Sequence, residues 1–195
     1  MSNEASSSPL RDYQKKWLQL FIHETHIAGL TIWLAGGWAV EALDREQQPR
    51  DHGDIDFFIF RSHSPVFHTR LNRKKFHGLE EQYNGFATRR ITPFGKLIVR
   101  FTYLDLTTDS KLVTFLPEHT VNWPVSALPG DLLGELDGKP VPCFDWNMAY
   151  AETEVRAFIK PDAPKSPDLA VIHKQVKPAT RKSISKGLIV EYQPA

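Results

Sequence analysis

The order of segments between residues 31 and 60 constrains the fold of this chain more than any other feature. A short β-rich run, 31–35, ends at the glycine pair Gly36-Gly37, and the following segment, 38–43, reads as a short helix. A polar loop then leads to a second β-rich run, 54–60, which begins with acidic residues and ends with apolar ones. Strand, glycine turn, helix and strand in this order are typical of an α/β domain, in which helices cover a sheet.

Periodicities along the rest of the chain predict a mixed β-sheet flanked by helices. Ser8 and Pro9 supply a cap and a first-turn proline for a helix over residues 9–27, whose apolar positions approximate one stripe. The other predicted elements are helices at 64–77, 145–159 and 166–177, strands at 80–88, 96–106 and 111–116, and a hairpin with an Asp-Gly turn at 133–139. The predicted fold class is therefore α/β (α+β).

The length of the chain, 195 residues, allows one sizeable core but hardly two. We expect a flexible leader over residues 1–8, one α/β domain over 9–143, and a short C-terminal helical extension with a basic tail over 144–195. The tail from Lys174 to Lys186 carries no acid and five basic residues, namely Lys174, Lys177, Arg181, Lys182 and Lys186. Such a run fits a solvated end or a contact with an anionic partner.

Composition excludes several classes of protein. With 41% hydrophobic and 24% charged residues, the chain is not expected to be disordered, collagen-like or built on disulfides. The formal net charge of +1 makes a dedicated nucleic-acid binder less favoured, although a local basic patch remains compatible with it. The single cysteine, Cys143, lacks a disulfide partner and fits a reducing compartment. Because no signal sequence or membrane span is recognisable, we expect a cytoplasmic protein.

Asp54 and Asp56 are the residues that most directly indicate chemistry. Side chains two apart on a strand point to the same face, about 7 Å apart, so both carboxylates can reach shared metal ions. Two carboxylates so placed repel each other, and a divalent cation with a preference for oxygen ligands, such as Mg²⁺, relieves the repulsion. Alone, an Asp-x-Asp pattern is short and also fits a solvated, acidic start of a strand.

The glycine pair supplies a second part of a site. Gly36 and Gly37 allow backbone amides to approach an anion closely, and the helix beginning at Trp38 would direct its positive end at phosphate groups. A glycine pair is also an ordinary strand-to-helix turn. Together with the aspartate strand, however, it forms what transfer from a nucleoside triphosphate requires, namely a phosphate cradle beside metal ligands.

A third carboxylate is expected to complete the set of ligands. Asp105 lies at the end of the predicted strand 96–106, and a neighbouring strand can bring it beside Asp54 and Asp56. There it would bind a second metal ion and take the proton of the hydroxyl group that accepts the transferred nucleotide. Asp109 is a rival candidate in the turn that follows, and the alternative for either residue is a structural carboxylate at a strand end.

The compound pattern WLAGGWAV (33–40) and RDHGDID (50–56) resembles the signature of the aminoglycoside and lincosamide nucleotidyltransferases of the DNA polymerase β-like superfamily. The resemblance is strong over residues 31–61 and extends weakly to about residue 172. It implies a nucleotidyltransferase fold, with residues 9–143 as the catalytic domain. It also implies transfer of a nucleoside monophosphate, AMP from ATP above all, to an acceptor hydroxyl with release of pyrophosphate.

The resemblance also implies roles for individual residues. Two Mg²⁺ ions would be held by Asp54, Asp56 and Asp105, which are thereby the expected catalytic residues. The nucleoside triphosphate would be bound by the glycine turn and by basic residues, namely Gly36, Gly37, Trp38, Arg50 and Lys165. The acceptor would be an aminoglycoside, a lincosamide or another hydroxylated small molecule.

Some positions depart from the family pattern. Glu41 stands where the family usually has aspartate, and the loop before Arg50 is one residue longer. Near the C-terminus, Ser166 replaces the aspartate of an arginine-proline-lysine-aspartate stretch, next to the matching Lys165. Arg50 and His52 fit either a role at the phosphates and the aspartate strand or a purely structural role in the loop.

Two other functions remain open at this point. The same chemistry could serve a macromolecular acceptor such as tRNA or a protein side chain, for which the basic tail is the support. Alternatively, the fold could bind nucleotides or partners without catalysis. The retention of two mutually repelling aspartates and a candidate third favours an active enzyme over that alternative.

Overall fold

The computed structural model describes residues 8–44, 46, 49–74, 79–82, 84–127 and 133–193, with Leu133 described by its backbone alone. The helices are α1 (Pro9–Ile27), α2 (Gly36–Leu43), α3 (Ser64–Arg73), α4 (Trp146–Ile159), α5 (Leu169–Gln175) and α6 (Pro178–Gly187). The strands are β1 (Ile32–Ala35), β2 (Ile55–Phe60), β3 (Glu80–Gln82), β4 (Gly85–Thr92), β5 (Gly95–Leu106), β6 (Leu112–Phe115), β7 (His119–Trp123), β8 (Leu133–Leu136), β9 (Lys139–Pro142) and β10 (Ile189–Tyr192).

A mixed sheet forms the centre of the fold. Its main path runs β1-β2-β5-β6-β7-β10, and β4, which carries β3, also pairs with β5. Strands β2 and β5 run parallel, whereas the other pairs are antiparallel. Strands β8 and β9 form a separate hairpin. The predicted α/β (α+β) class, with a mixed sheet flanked by helices, is confirmed.

Strand β2 is covered on both faces. Its side chains alternate between the two faces, and this alternation decides where the acidic residues point. Ile55, Phe57 and Ile59 join the core on one face, where Phe21 of α1 makes an edge-to-face contact with Phe57 at 5.8 Å. Phe58 joins the second core, which α4 covers. Because successive side chains alternate, Asp56 lies on the same face as Phe58. The residue is therefore directed towards α4.

Several local predictions are confirmed in detail. Helix α1 has the predicted bounds, and the Ser8 hydroxyl accepts a hydrogen bond from the Arg11 amide at 3.2 Å, as an N-cap should. In the β8-β9 hairpin, Asp137 and Gly138 both have positive φ, 52° and 72°, as a tight primed turn requires. Residues 1–7 of the expected leader lie outside the described residues.

Other elements differ from the sequence predictions. Helix α2 begins at Gly36 rather than Trp38, and the predicted strand over 80–88 is two strands, β3 and β4. The segment called a basic tail forms α6 and then β10, which pairs with β7. Ile184 of α6 is fully buried and anchors this segment in the second core. Among the described residues, no helix is long and apolar enough to cross a membrane.

Candidate active site

The turn between β1 and α2 needs glycine because of two close approaches. Gly36 has φ +60°, and a Cβ there would lie 3.1 Å from Oδ2 of Asp56. A Cβ on Gly37 would lie 2.6 Å from Nδ1 of His52 and 2.7 Å from Nη2 of Arg50. The first turn of α2 has no side-chain cap. Its amides and the positive end of the helix dipole are thus placed against the aspartates, where an anion can bind.

Asp54 and Asp56 lie together, as predicted, and share a guanidinium. Nη1 of Arg100 donates to Oδ2 of Asp54 at 2.5 Å and to Oδ1 of Asp56 at 3.0 Å. Burial and the charge of Asp54 raise the pKa of Asp56 to about 6, although Arg100 opposes the rise. About a third of each aspartate side chain is exposed, 34% for Asp54 and 28% for Asp56. Both carboxylates therefore remain accessible to a ligand.

The register of the sheet shows that the predicted position of Asp105 beside this pair is wrong. Asp56 is aligned with Arg100 on β5, so Asp105 lies five residues further along the strand, about 16 Å away at the usual rise. There Asp105 accepts from Nε of Arg61 at 2.9 Å. The rival, Asp109, is exposed and pairs with Lys111 at 2.5 Å. Neither residue is brought to the aspartate pair.

Glu152 is the carboxylate that the sequence analysis missed. It lies on the inner face of α4, and its Oε2 accepts a hydrogen bond from the Gly36 amide at 3.4 Å. Burial first, and then the charge of Asp56, raise the pKa of Glu152 to about 7. The signal in the sequence is weak: an acid between the buried residues Ala151 and Val155 on a predicted helix.

Arg50 is held at the site by a partner that the sequence did not indicate. Its Nη2 donates to both carboxylate oxygens of Asp168, at 2.9 and 2.7 Å. Asp168 is buried and precedes α5. This charge-assisted ion pair ties the loop before β2 to the C-terminal helices and holds Arg50 against the site.

A buried ionic cluster supports the loop from below. Glu41 of α2 forms an ion pair with Arg11 and accepts a hydrogen bond from Nε2 of His52 at 2.8 Å. Burial alone would raise the pKa of Glu41, but hydrogen bonds from His52 and Arg11 outweigh it and lower the pKa to about 2. His52 therefore braces the loop, and Glu41 fills this role where the family usually has aspartate.

Two predicted nucleotide-binding residues, Trp38 and Lys165, do not line the cavity that contains the aspartates. Trp38 is buried in the core, with its ring 4.5 Å from that of His52. Lys165 is exposed and does not line the cavity. Its neighbours, residues 166–168, do. Gly36, Gly37, Arg50, Asp54 and Asp56 do share one cavity.

This cavity has a volume of about 980 Å³, which is enough for a nucleotide and part of an acceptor. The glycine turn, the aspartates and Arg100 form one wall. The inner face of α4 forms another, with Glu152 near the aspartates and Arg156 and Lys160 further along. The turn between β6 and β7, residues 116–119, closes a third side.

An acidic strand that faces the start of a glycine-initiated helix, on a mixed sheet and inside an open cavity, is the arrangement expected of a nucleotidyltransferase. The sequence model of the family described as Aminoglycoside-2''-adenylyltransferase matches residues 20–158, more than half of the chain. The chain belongs to this family. The resemblance found in the sequence is thereby confirmed.

Solved structures with a similar fold agree with this assignment. The solution structure of the antibiotic-resistance factor ANT(2'')-Ia is 17% identical, with a TM-score of 0.68 and coverage of 90% of both chains. The crystal structure of ANT(2")-Ia in complex with adenylyl-2"-tobramycin is 17% identical, with a TM-score of 0.66 and coverage of 89% of this chain and 98% of that one.

The lincomycin-bound lincosamide antibiotic adenylyltransferase LnuA is 18% identical, with a TM-score of 0.56 and coverage of 87% of this chain and 97% of that one. A search of curated protein sequences finds no match. At these identities the solved structures establish the fold.

The donor set can be tested for its fit to Mg²⁺. Asp54 and Asp56 supply partly exposed carboxylate oxygens, which suit one hard cation that also binds phosphate oxygens. Over the described part of the chain, no group of three or more His, Cys, Asp or Glu residues is arranged to hold a metal ion. The residues thus fit one ion that binds together with a triphosphate, but they do not supply enough ligands for two ions.

Proposed function

We propose that the protein transfers AMP from ATP to a hydroxyl group of a small-molecule acceptor. The acceptor oxygen forms a bond to the α-phosphorus, the bond from that phosphorus to the bridging oxygen breaks, and pyrophosphate leaves. The observation that carries this proposal is the position of Asp54 and Asp56 opposite the start of α2. Mg²⁺ bound there would neutralise negative charge on the phosphates.

The residues around the pair support binding of a triphosphate. The Gly36 amide donates to Glu152, and the amides that follow it at the start of α2 can donate to phosphate oxygens. Arg50 lies beside them, held by its ion pair with Asp168. Arg156 and Lys160 are exposed on the same cavity wall and can contact further phosphate charge. The side chain of Trp38 supports this wall from the core.

The family supports a proposal for the class of acceptor. The complexes of similar structures contain adenylyl-2"-tobramycin and lincomycin, so an aminoglycoside or a lincosamide is proposed as the acceptor here. A direct test is pyrophosphate release from ATP with Mg²⁺ in the presence of tobramycin, lincomycin or neither. Acceptor-dependent release would support the proposal, whereas nucleotide binding without release under any of these conditions would contradict it.

A second candidate function, nucleotide binding without transfer, is favoured by one observation. The strand position beside Asp56 carries Arg100 and not a carboxylate. Pyrophosphate release separates the two functions, because a binding protein would be stabilised by nucleotide but would release none.

Nucleotide binding itself should be visible as thermal stabilisation. ATP with Mg²⁺ at 100 times its dissociation constant should add about 2.7 kcal/mol, or about 5 to 10 °C in melting temperature for a chain of this size. Asp54→Asn should lose most of the Mg²⁺-dependent part, whereas Asp105→Asn should keep it. Equal shifts in all three proteins would contradict the assignment of the site.

Glu152 is the residue proposed to take the proton of the acceptor hydroxyl. It faces the cavity beside Gly36, and its raised pKa suits a group that exchanges a proton near neutral pH. Glu152→Gln should lower kcat about 10²- to 10⁴-fold, the usual contribution of a general base, with little change in KM for ATP.

Glu154→Gln is the matched control for this variant. Glu154 lies two residues further along α4 and accepts from the Ser185 hydroxyl of α6 at 2.9 Å, away from the cavity. Its kcat should remain within a few-fold of wild type. A similar loss of kcat in both variants would assign the effect to the packing of α4 instead.

A further inference from the structure

The strands on either side of β2 offer no ligand for a second metal ion. A site for two ions, about 3.5 to 4 Å apart, needs a further carboxylate next to the pair. The positions in register with Asp56 are Ala35 on β1 and Arg100 on β5. Ala35 has no polar side chain, and Arg100 carries a positive charge.

Arg100 occupies the place of a shared cation. On β5, Val99 and Phe101 are buried in the first core, so Arg100 between them points to the opposite face, as Asp56 does. One guanidinium nitrogen, Nη1, lies within hydrogen-bond distance of both aspartates. A metal ion shared by the two carboxylates would occupy an equivalent bridging position.

The charges of the site lead to the same conclusion. A site with a third carboxylate beside Asp54 and Asp56 would carry a charge of about −3, which two divalent ions would neutralise. Here Asp54, Asp56 and Arg100 together carry about −1 at neutral pH. A single divalent ion suffices to neutralise this group. Glu152 does not restore a third ligand, because it is turned to the Gly36 amide and no cluster of three ligands forms among the described residues.

We propose that Arg100 replaces the second metal ion, so that the protein binds one divalent ion, held by Asp54 and Asp56 together with the triphosphate. This inference depends on the proposed function in one respect, because the triphosphate that helps to hold the ion is the proposed substrate. Arg100 supplies a positive charge of the protein's own beside the carboxylates. The acceptor hydroxyl is then left without a metal ion of its own, which makes a protein base such as Glu152 necessary.

Mn²⁺ in place of Mg²⁺ allows the ions to be counted by electron paramagnetic resonance. Protein saturated with Mn²⁺ and an ATP analogue with a methylene bridge between the α- and β-phosphates should give the spectrum of a single ion. Arg100→Asp should give the spectrum of two exchange-coupled ions, because it adds the missing carboxylate in register with Asp56. Arg100→Gln, which removes the charge without adding a carboxylate, should keep one ion.

Lys96→Asp is the matched control. Lys96 lies on the same strand and face as Arg100, four residues away, and is exposed outside the cavity. This variant has the same change of charge as Arg100→Asp but should keep the single-ion spectrum. A coupled pair in Lys96→Asp would show that added negative charge alone recruits the second ion, and would overturn the inference.

Other outcomes separate this inference from the proposed function. A coupled pair of ions in the wild type would overturn the inference and leave the nucleotide site intact. Folded Arg100→Asp that binds the analogue with one ion would also overturn it. If the wild type retains no Mn²⁺ with the analogue, the proposed function fails as well. The wild-type and Arg100→Gln spectra decide the matter even if Arg100→Asp does not fold.

Discussion

Replacing either strand aspartate, as Asp54→Asn or Asp56→Asn, is expected to lower the rate of nucleotidyl transfer about 10³-fold or more. Under the proposed function the carboxylates would hold an ion that stabilises phosphate charge in the transition state. That contribution is worth several kcal/mol, and each 1.4 kcal/mol changes the rate tenfold. The fold should persist, because both side chains are partly exposed and asparagine has the same shape. Steady-state rates of pyrophosphate release and circular dichroism measure the two effects.

Asp105→Asn is the matched control for these variants. It makes the same chemical change on the adjacent strand, where the carboxylate pairs with Arg61 at the other end of β5. Transfer should remain within a few-fold of wild type. A loss as large as that of Asp56→Asn would show that Asp105 acts in catalysis despite its distance, whereas full activity in Asp54→Asn would remove the pair from the mechanism.

The contrast between Asp56 and Asp105 shows which part of the site a sequence can predict. Asp54 and Asp56 are two residues apart, so the geometry of one strand places them together. A third ligand depends on how β2 aligns with β5, and that register is set by packing between segments more than forty residues apart. The strand containing Asp105 was predicted correctly, but Arg100 on the same strand is the residue that reaches the pair.

The same distinction explains the other differences. Helix α1 and the β8-β9 turn follow from adjacent residues, through a cap in one case and two positive φ angles in the other. The pairing of Arg50 with Asp168 spans 118 residues and has no local signal. Helix α6 has one fully buried apolar residue, Ile184, so its amphipathic pattern was too sparse to recognise.

The largest effect on stability is expected for Glu41, which carries the buried cluster beneath the site. Glu41→Gln leaves Arg11 buried without its counter-charge, and breaking a buried pair in this way costs about 3 to 5 kcal/mol. Arg11 and Glu41 are 3% and 7% exposed, so solvent screens the pair little. A chain of this size should lose about 6 to 20 °C in melting temperature.

The pH dependence of stability provides an independent measure of the same interaction. Folding lowers the pKa of Glu41 from an ordinary 4.5 to about 2, so the stabilisation is complete above pH 4.5. It is lost as the pH falls from 4.5 towards 2, because the unfolded chain takes up the proton first. Over this range the wild type should lose about 3 kcal/mol more than Glu41→Gln does.

Lys111→Gln controls for the general effect of removing an ion pair. Lys111 and Asp109 are both exposed, so their pair is screened by water and the melting temperature should stay close to that of the wild type. If Glu41→Gln melts as the wild type does, the buried cluster does not hold α2 to the loop. In that case the position of Gly37 against His52 and Arg50 is maintained by the packing of Trp38 on His52 and by the ion pair of Arg50 with Asp168.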